Sequence, residues 1–102
     1  MFKGEVEMKA DIEKRINDNF SDIDLVKQIL SELSVPNEEL ERVIRCVLYL
    51  SENDYDSLKH FVSVANIDRR DVYYWAEYDK LSRRRWDFSK EFNEQSENKY
   101  ES

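Results

Sequence analysis

One glycine, Gly4, and one proline, Pro36, are the only residues of their kinds in 102 positions. Tight hairpins and left-handed turns draw on these two residues, because glycine reaches positive φ without a steric penalty and proline presets a turn. A chain so poor in both has few cheap ways to reverse a strand, and an all-α fold is the simplest solution. The expected architecture is a single small helical bundle of about five helices with an irregular or short-helical C-terminal segment. The length suits one hydrophobic core and not two. Residues 1–92 are therefore expected to form one helical domain, and 93–102 a flexible acidic tail.

Apolar spacing supports this reading segment by segment. Met8, Ile12, Ile16 and Phe20 recur every four residues, which predicts a leading helix over about 6–18. Val26, Ile29, Leu30 and Leu33 follow the i, i+3, i+4, i+7 pattern, with Ile23 one turn earlier, and predict a helix over about 22–34. Ser21 with Asp24 three positions on reads as its capping box. Beyond Pro36, Asn37 is expected to cap a third helix carrying Leu40, Val43, Ile44, Val47 and Leu48. Cys46, Tyr49 and Leu50 widen its apolar arc, so it is expected to be the most buried helix, with Arg42 and Arg45 toward its edges. Asp54 can cap a fourth helix with Leu58, Phe61, Val62 and Ala65 on one face. Asp68, with Asp71, can open a fifth that turns Val72, Trp75 and Ala76 inward. After Leu81 the spacing supports two readings: Trp86 and Phe88 alternate as in an extended segment, while Phe88 and Phe92 are a helical turn apart.

The residue inventory bears on function mostly through what it lacks. Phosphate-cradling loops need several glycines, so a single one at position 4 excludes the dinucleotide and P-loop fingerprints. Zinc sites draw on clusters of Cys and His, and only Cys46 and His60 are present. As a thiol–imidazole pair they would need a reactive cysteine, yet Cys46 falls in the apolar arc where a thiol stays protonated. The two Asp-x-Asp pairs, Asp22/Asp24 and Asp54/Asp56, sit at predicted helix starts, where capping accounts for them. SENDYDSLKHFV, from Ser51, lacks the glycine and final glutamate of a calcium loop. The expectation is a non-catalytic protein with no cofactor and no metal, an enzyme of unrecognised type being the third-ranked class.

The lone cysteine forms no intrachain disulfide and suits a reducing compartment. MFKGEVEMKADIEKR alternates charges and offers no apolar run for a signal sequence or a membrane span. The chain is expected to be cytoplasmic with no membrane partner, which makes the glycosylation-like Asn19-Phe20-Ser21 a chance match.

Net charge is −7 and unevenly spread: residues 1–66 carry 8 cations and 14 anions, 67–90 carry 7 and 5, and 91–102 carry 1 and 4. The only basic block thus contains YYWAEYDKLSRRRWDF, Tyr73 to Phe88, with six aromatic residues and three successive arginines. Three readings of this stretch compete. In the first, Trp75, Trp86 and Phe88 complete the core, the C-terminal segment wraps back over the helices, and the arginines pair with acidic helix faces. In the second, Tyr73, Tyr74, Tyr78, Arg83, Arg84 and Arg85 form a contact face for a protein partner or a second copy, with Trp75 and Trp86 anchoring it from below. In the third, arginines meet phosphates and aromatics stack on bases, including a helix-turn-helix version in which Arg69 and Arg70 open a recognition helix. Asp68, Asp71, Glu77 and Asp79 oppose a phosphate field, so nucleic acid ranks behind protein. The second reading supplies the function to be tested: regulatory, inhibitory or self-associating contact through protein surfaces.

Overall fold

Five helices follow one another along the chain: α1 Ala10–Asn19, α2 Ile23–Leu30, α3 Asn37–Ser51, α4 Tyr55–Ile67 and α5 Arg69–Glu77. They are seen in a computed structural model that describes residues 8–92, and no strand occurs among these residues. The expected start of the leading helix near residue 6 and the acidic tail over 93–102 lie outside the described residues. The all-α bundle of about five helices is as the scarcity of glycine predicts.

The apolar repeat of α3 puts it at the centre. Val43, Ile44, Cys46, Val47 and Leu48 are all enclosed, and α3 packs against α1, α4 and α5. Ile12 and Ile16 of α1, Val26, Ile29 and Leu30 of α2, Leu58 and Val62 of α4, and Val72 and Ala76 of α5 complete one continuous core. Enclosure pushes the Cys46 thiol pKa well above its ordinary value, since a thiolate loses its hydration there. Ellman's reagent is therefore expected to leave the native protein unlabelled over minutes and to modify Cys46 fully in guanidinium. Prompt stoichiometric labelling without denaturant would contradict this burial.

Helix starts follow the aspartates. The Asp54 carboxylate accepts from the Asp56 amide at 3.3 Å and the Ser57 hydroxyl at 2.7 Å, and that of Asp68 accepts from the Arg70 amide at 3.0 Å. Two expected caps are corrected. Asp22 and not Ser21 caps α2, accepting from the Leu25 amide at 3.1 Å, while the Tyr55 hydroxyl takes the Asp22 amide at 2.9 Å. Asn37 makes no side-chain cap; it is the first residue of α3, behind Pro36, whose fixed φ of −57° leads the chain in. α2 also stops at Leu30, short of the predicted 34. Asn66 of α4 donates to the Glu32 carbonyl at 2.9 Å and accepts the Ser34 amide at 2.6 Å, which holds this stretch in a turn while Leu33 still reaches the core.

Residues 78–92 form a strap across α3 and α5, with one isolated antiparallel bridge between Tyr78 and Arg84. Its reversal is built on Asp79, whose side chain accepts from the Leu81 amide at 2.9 Å and the Arg83 amide at 3.0 Å. In place of glycine, Ser82 takes a positive φ of 62°, and Glu52 after α3 takes 56°. The strap's Phe88 is enclosed and its ring meets Tyr49 at 5.2 Å and Phe92 at 5.5 Å between centroids. The first reading of this segment is thus right for Phe88.

Candidate functional site

α5 positions most of the residues at issue. Asp68 closes α4 through its amide, which donates to the Val64 carbonyl at 2.8 Å, and opens α5 through its carboxylate. A single residue therefore joins the two helices. With about 100° between successive side chains, burial of Val72 and Ala76 leaves Tyr73 and Glu77 on one shoulder of α5 and Trp75 on the other.

Sequence pattern places Trp75 inside and treats Glu77 as an outward carboxylate; the structure reverses both. Glu77 is fully enclosed while Trp75 keeps 47% of its surface, resting only edge-on against Phe61 at 6.2 Å. The reason is a set of donors converging on the carboxylate. Arg42 of α3 binds it in a fork, Nε to Oε2 at 3.0 Å and Nη2 to Oε1 at 2.6 Å. Arg84 adds Nη2 to Oε1 at 3.1 Å, and the Phe88 amide donates to Oε2 at 3.0 Å. The Glu77 carbonyl also accepts the amides of Arg85 and Trp86, at 2.6 and 3.2 Å. The hydrogen bond to Glu77 raises the Arg42 guanidinium above its ordinary pKa. With four donors on two oxygens, this carboxylate has no direction left for a substrate proton. It acts as a clasp for the strap.

A second enclosed ion pair backs the first. Arg45, expected at a helix edge, is instead buried and grips Asp11 of α1, Nε to Oδ2 at 2.9 Å and Nη2 to Oδ1 at 3.3 Å. Its Nη1 donates to the Phe88 carbonyl at 3.1 Å, and the Phe92 amide donates to Asp11 Oδ2 at 2.8 Å. Phe88 thus offers its amide to one buried pair and its carbonyl to the other. Burial raises the Asp11 pKa, but hydrogen bonds from Arg45 and the Phe92 amide outweigh it and leave the carboxyl below its ordinary value. Arg42, the other arginine expected at the edge, lies part-buried in the Glu77 fork, with its guanidinium 3.9 Å from the Tyr73 ring centroid.

The six expected contact residues consequently separate. Tyr73 is half-buried under Arg42 and donates its hydroxyl to Glu39; burial, then that hydrogen bond, push its phenol pKa upward. Arg84 turns inward to Glu77, to Asp87 at 3.1 Å and to the Trp86 carbonyl at 3.0 Å. Tyr74, Tyr78, Arg83 and Arg85 face outward to differing degrees. Tyr74 is 49% exposed and stacks on Tyr78 with centroids 5.6 Å apart. Tyr74 and Ser82 hydroxyls lie 2.9 Å apart, so the turn bearing the 68% exposed Leu81 is tied to the same face. Arg83 is exposed with Asp79 3.8 Å away, and Arg85 lies over Trp86 at 5.6 Å. Trp86 is half-buried, its indole N–H donating to the Tyr49 hydroxyl at 3.3 Å. Trp75, expected beneath the contact residues, is itself exposed. Leu81 was invisible to periodicity, since it lies between the charged Lys80 and the polar Ser82 in a turn.

Elsewhere the chemistry is sparse. His60 is exposed and Cys46 enclosed, which separates the only thiol and the only imidazole. Among the described residues no group of three or more His, Cys, Asp or Glu side chains is placed to hold a metal ion, and no helix is long and apolar enough to cross a membrane. Comparison of the chain with protein-family models, curated proteins and solved structures finds no match in any of the three.

Proposed function

We propose that this chain is a non-catalytic cytoplasmic protein that works by binding another protein through the outward face of α5 and the turn that follows it. The observation that carries the reading is the exposure of Tyr74, Trp75 and Leu81, each about half exposed or more, on α5 and the turn after it; among the described residues Ile67, at the end of α4, is the one other large apolar side chain so exposed. Aromatic residues beside arginines are the residue types that dominate binding energy in protein interfaces, because they combine contact area with directional donors. The buried clasp beneath supports the role, since it fixes the strap without using the outward side chains.

Photo-crosslinking in cells of the source organism tests the reading. A benzophenone side chain at position 74 is expected to give discrete protein adducts, whereas the same group at Gln28, exposed on α2, gives none. Trp75→Ala should remove the adducts from position 74 while leaving the protein folded, as half-exposed residues contribute little to stability. Equal adduct patterns from both positions, or none from 74, would overturn the assignment.

A further inference from the structure

We propose that α1 carries a small-molecule site, in which Arg15 receives the carboxylate of a monoanionic ligand whose aromatic or alkyl body lies against Phe92. It is separate from the protein-binding face proposed on α5. An open cavity of about 440 Å³ is lined there by Ala10, Asp11, Lys14, Arg15, Asp18 and Phe92, a volume within the range of small-molecule sites. Spacings of three and four residues bring Asp11, Lys14, Arg15 and Asp18 to one side of α1.

The charged groups around this cavity are committed except for one. Asp11 is held by Arg45 and the Phe92 amide, and Asp18 lies 2.8 Å from the Lys14 ammonium. Arg15 makes neither an ion pair nor a hydrogen bond with any described residue, and its Nε is the one buried side-chain nitrogen or oxygen among them without a partner. A buried polar atom left in this state is uncommon and calls for a physical reason. The guanidinium lies against two rings, 5.0 Å from the Phe92 centroid and 5.8 Å from that of Tyr49. Ring faces attract the cation but accept no ordinary hydrogen bond from it. Burial lowers the Arg15 pKa, and the opposing pull of Tyr49, Asp18 and Glu52 does not restore it. A partly desolvated cation without a counter-ion is costly, and its planar fork of donors matches the two oxygens of a carboxylate.

Charge and lining narrow the ligand. One uncompensated cation suits one negative charge. The second charge of a phosphomonoester would face Asp11 and Asp18 with no further cation to meet it, because Lys14 is tied to Asp18. The Phe92 ring, the Ala10 methyl and the methylenes of Lys14 and Arg15 give the cavity apolar surface. Acetate would leave that surface uncovered, whereas an arene or a short alkyl chain would cover it.

Titration of the intact chain with naphthoate, followed in amide proton–nitrogen correlation spectra, tests this. Shifts are expected at the amides of residues 10–19 and of Phe92, and none at Tyr74 or Trp75. Naphthamide, the neutral counterpart, and inorganic phosphate should each bind at least about ten-fold more weakly than naphthoate, and Arg15→Met should weaken naphthoate by a similar factor. The midpoint of thermal unfolding of Arg15→Met should equal or exceed that of the wild type, since an apolar side chain of similar volume replaces an unpaired cation. Equal affinity for naphthoate and naphthamide, tighter binding of phosphate, undiminished binding to Arg15→Met, a lowered midpoint in that variant, or no shift up to about 10 mM naphthoate would each overturn the proposal. A gain in naphthoate affinity on Glu94→Gln/Glu97→Gln would make the chain's own carboxylates the occupant and would equally overturn it.

Discussion

Glu77→Ala is expected to lower the unfolding free energy by about 3–5 kcal/mol, because it takes from the Arg42 guanidinium and the enclosed Phe88 amide the carboxylate that both are bound to. Arg42 and the Phe88 amide lose their acceptor in that variant, while Arg84 keeps Asp87 and the Trp86 carbonyl. For a domain of this size the midpoint of thermal unfolding should fall by at least about 12 °C. Glu77→Gln keeps the shape and one carbonyl but sets an amide N–H₂ against donors, so it should recover only part of the loss. Guanidinium titration in a Trp75→Phe background, where Trp86 on the strap held by Glu77 is the one tryptophan reporter, measures the free-energy losses, and a thermal melt measures the midpoint. A loss under about 1 kcal/mol would show that the donors find water as good a partner, and the clasp would have to be abandoned.

Arg45→Ala should be comparably damaging, about 3–5 kcal/mol, as it strands the Asp11 carboxylate and the Phe88 carbonyl in the interior. The double variant Asp11→Leu/Arg45→Met is expected to regain most of the stability, since an apolar pair of similar volume needs no compensating charge. Acid sensitivity gives an independent check. The Asp11 pKa is depressed in the folded protein, so its contribution is complete above the ordinary carboxylate value, about 4, and drains away as pH falls through the lowered folded value. The wild-type protein should thus lose stability more steeply below about pH 4 than Asp11→Asn. Parallel curves in that window would mean that Asp11 is not held by its partners as the geometry requires.

The fold was legible because its governing signals are local. Val43, Ile44, Val47 and Leu48 mark a buried helix on their own spacing, and Asp54 and Asp68 announce helix starts through hydrogen bonds spanning two or three residues. What escaped the sequence depends on partners far along the chain. Asn66 shortens α2 from 32 positions away, through its bond to Ser34, and no window centred on α2 contains it. Glu77 is drawn inward by Arg42, 35 positions earlier, and that displacement turns Trp75 outward. Periodicity assigns a carboxylate to solvent unless its counter-ion is known. The same blindness merged two kinds of arginine in one run: Arg84 serves the interior, while Arg83 and Arg85 look outward.

The junction at Asp68 bears on association kinetics. Because one residue both finishes α4 and begins α5, the two helices have no linker in which to swing. Leu58 and Val62 of α4 and Val72 and Ala76 of α5 lie in the same core, which fixes their relative placement. If the proposed face takes a protein partner, ordering on complex formation falls almost wholly on that partner, and association should proceed without a slow isomerisation of this chain.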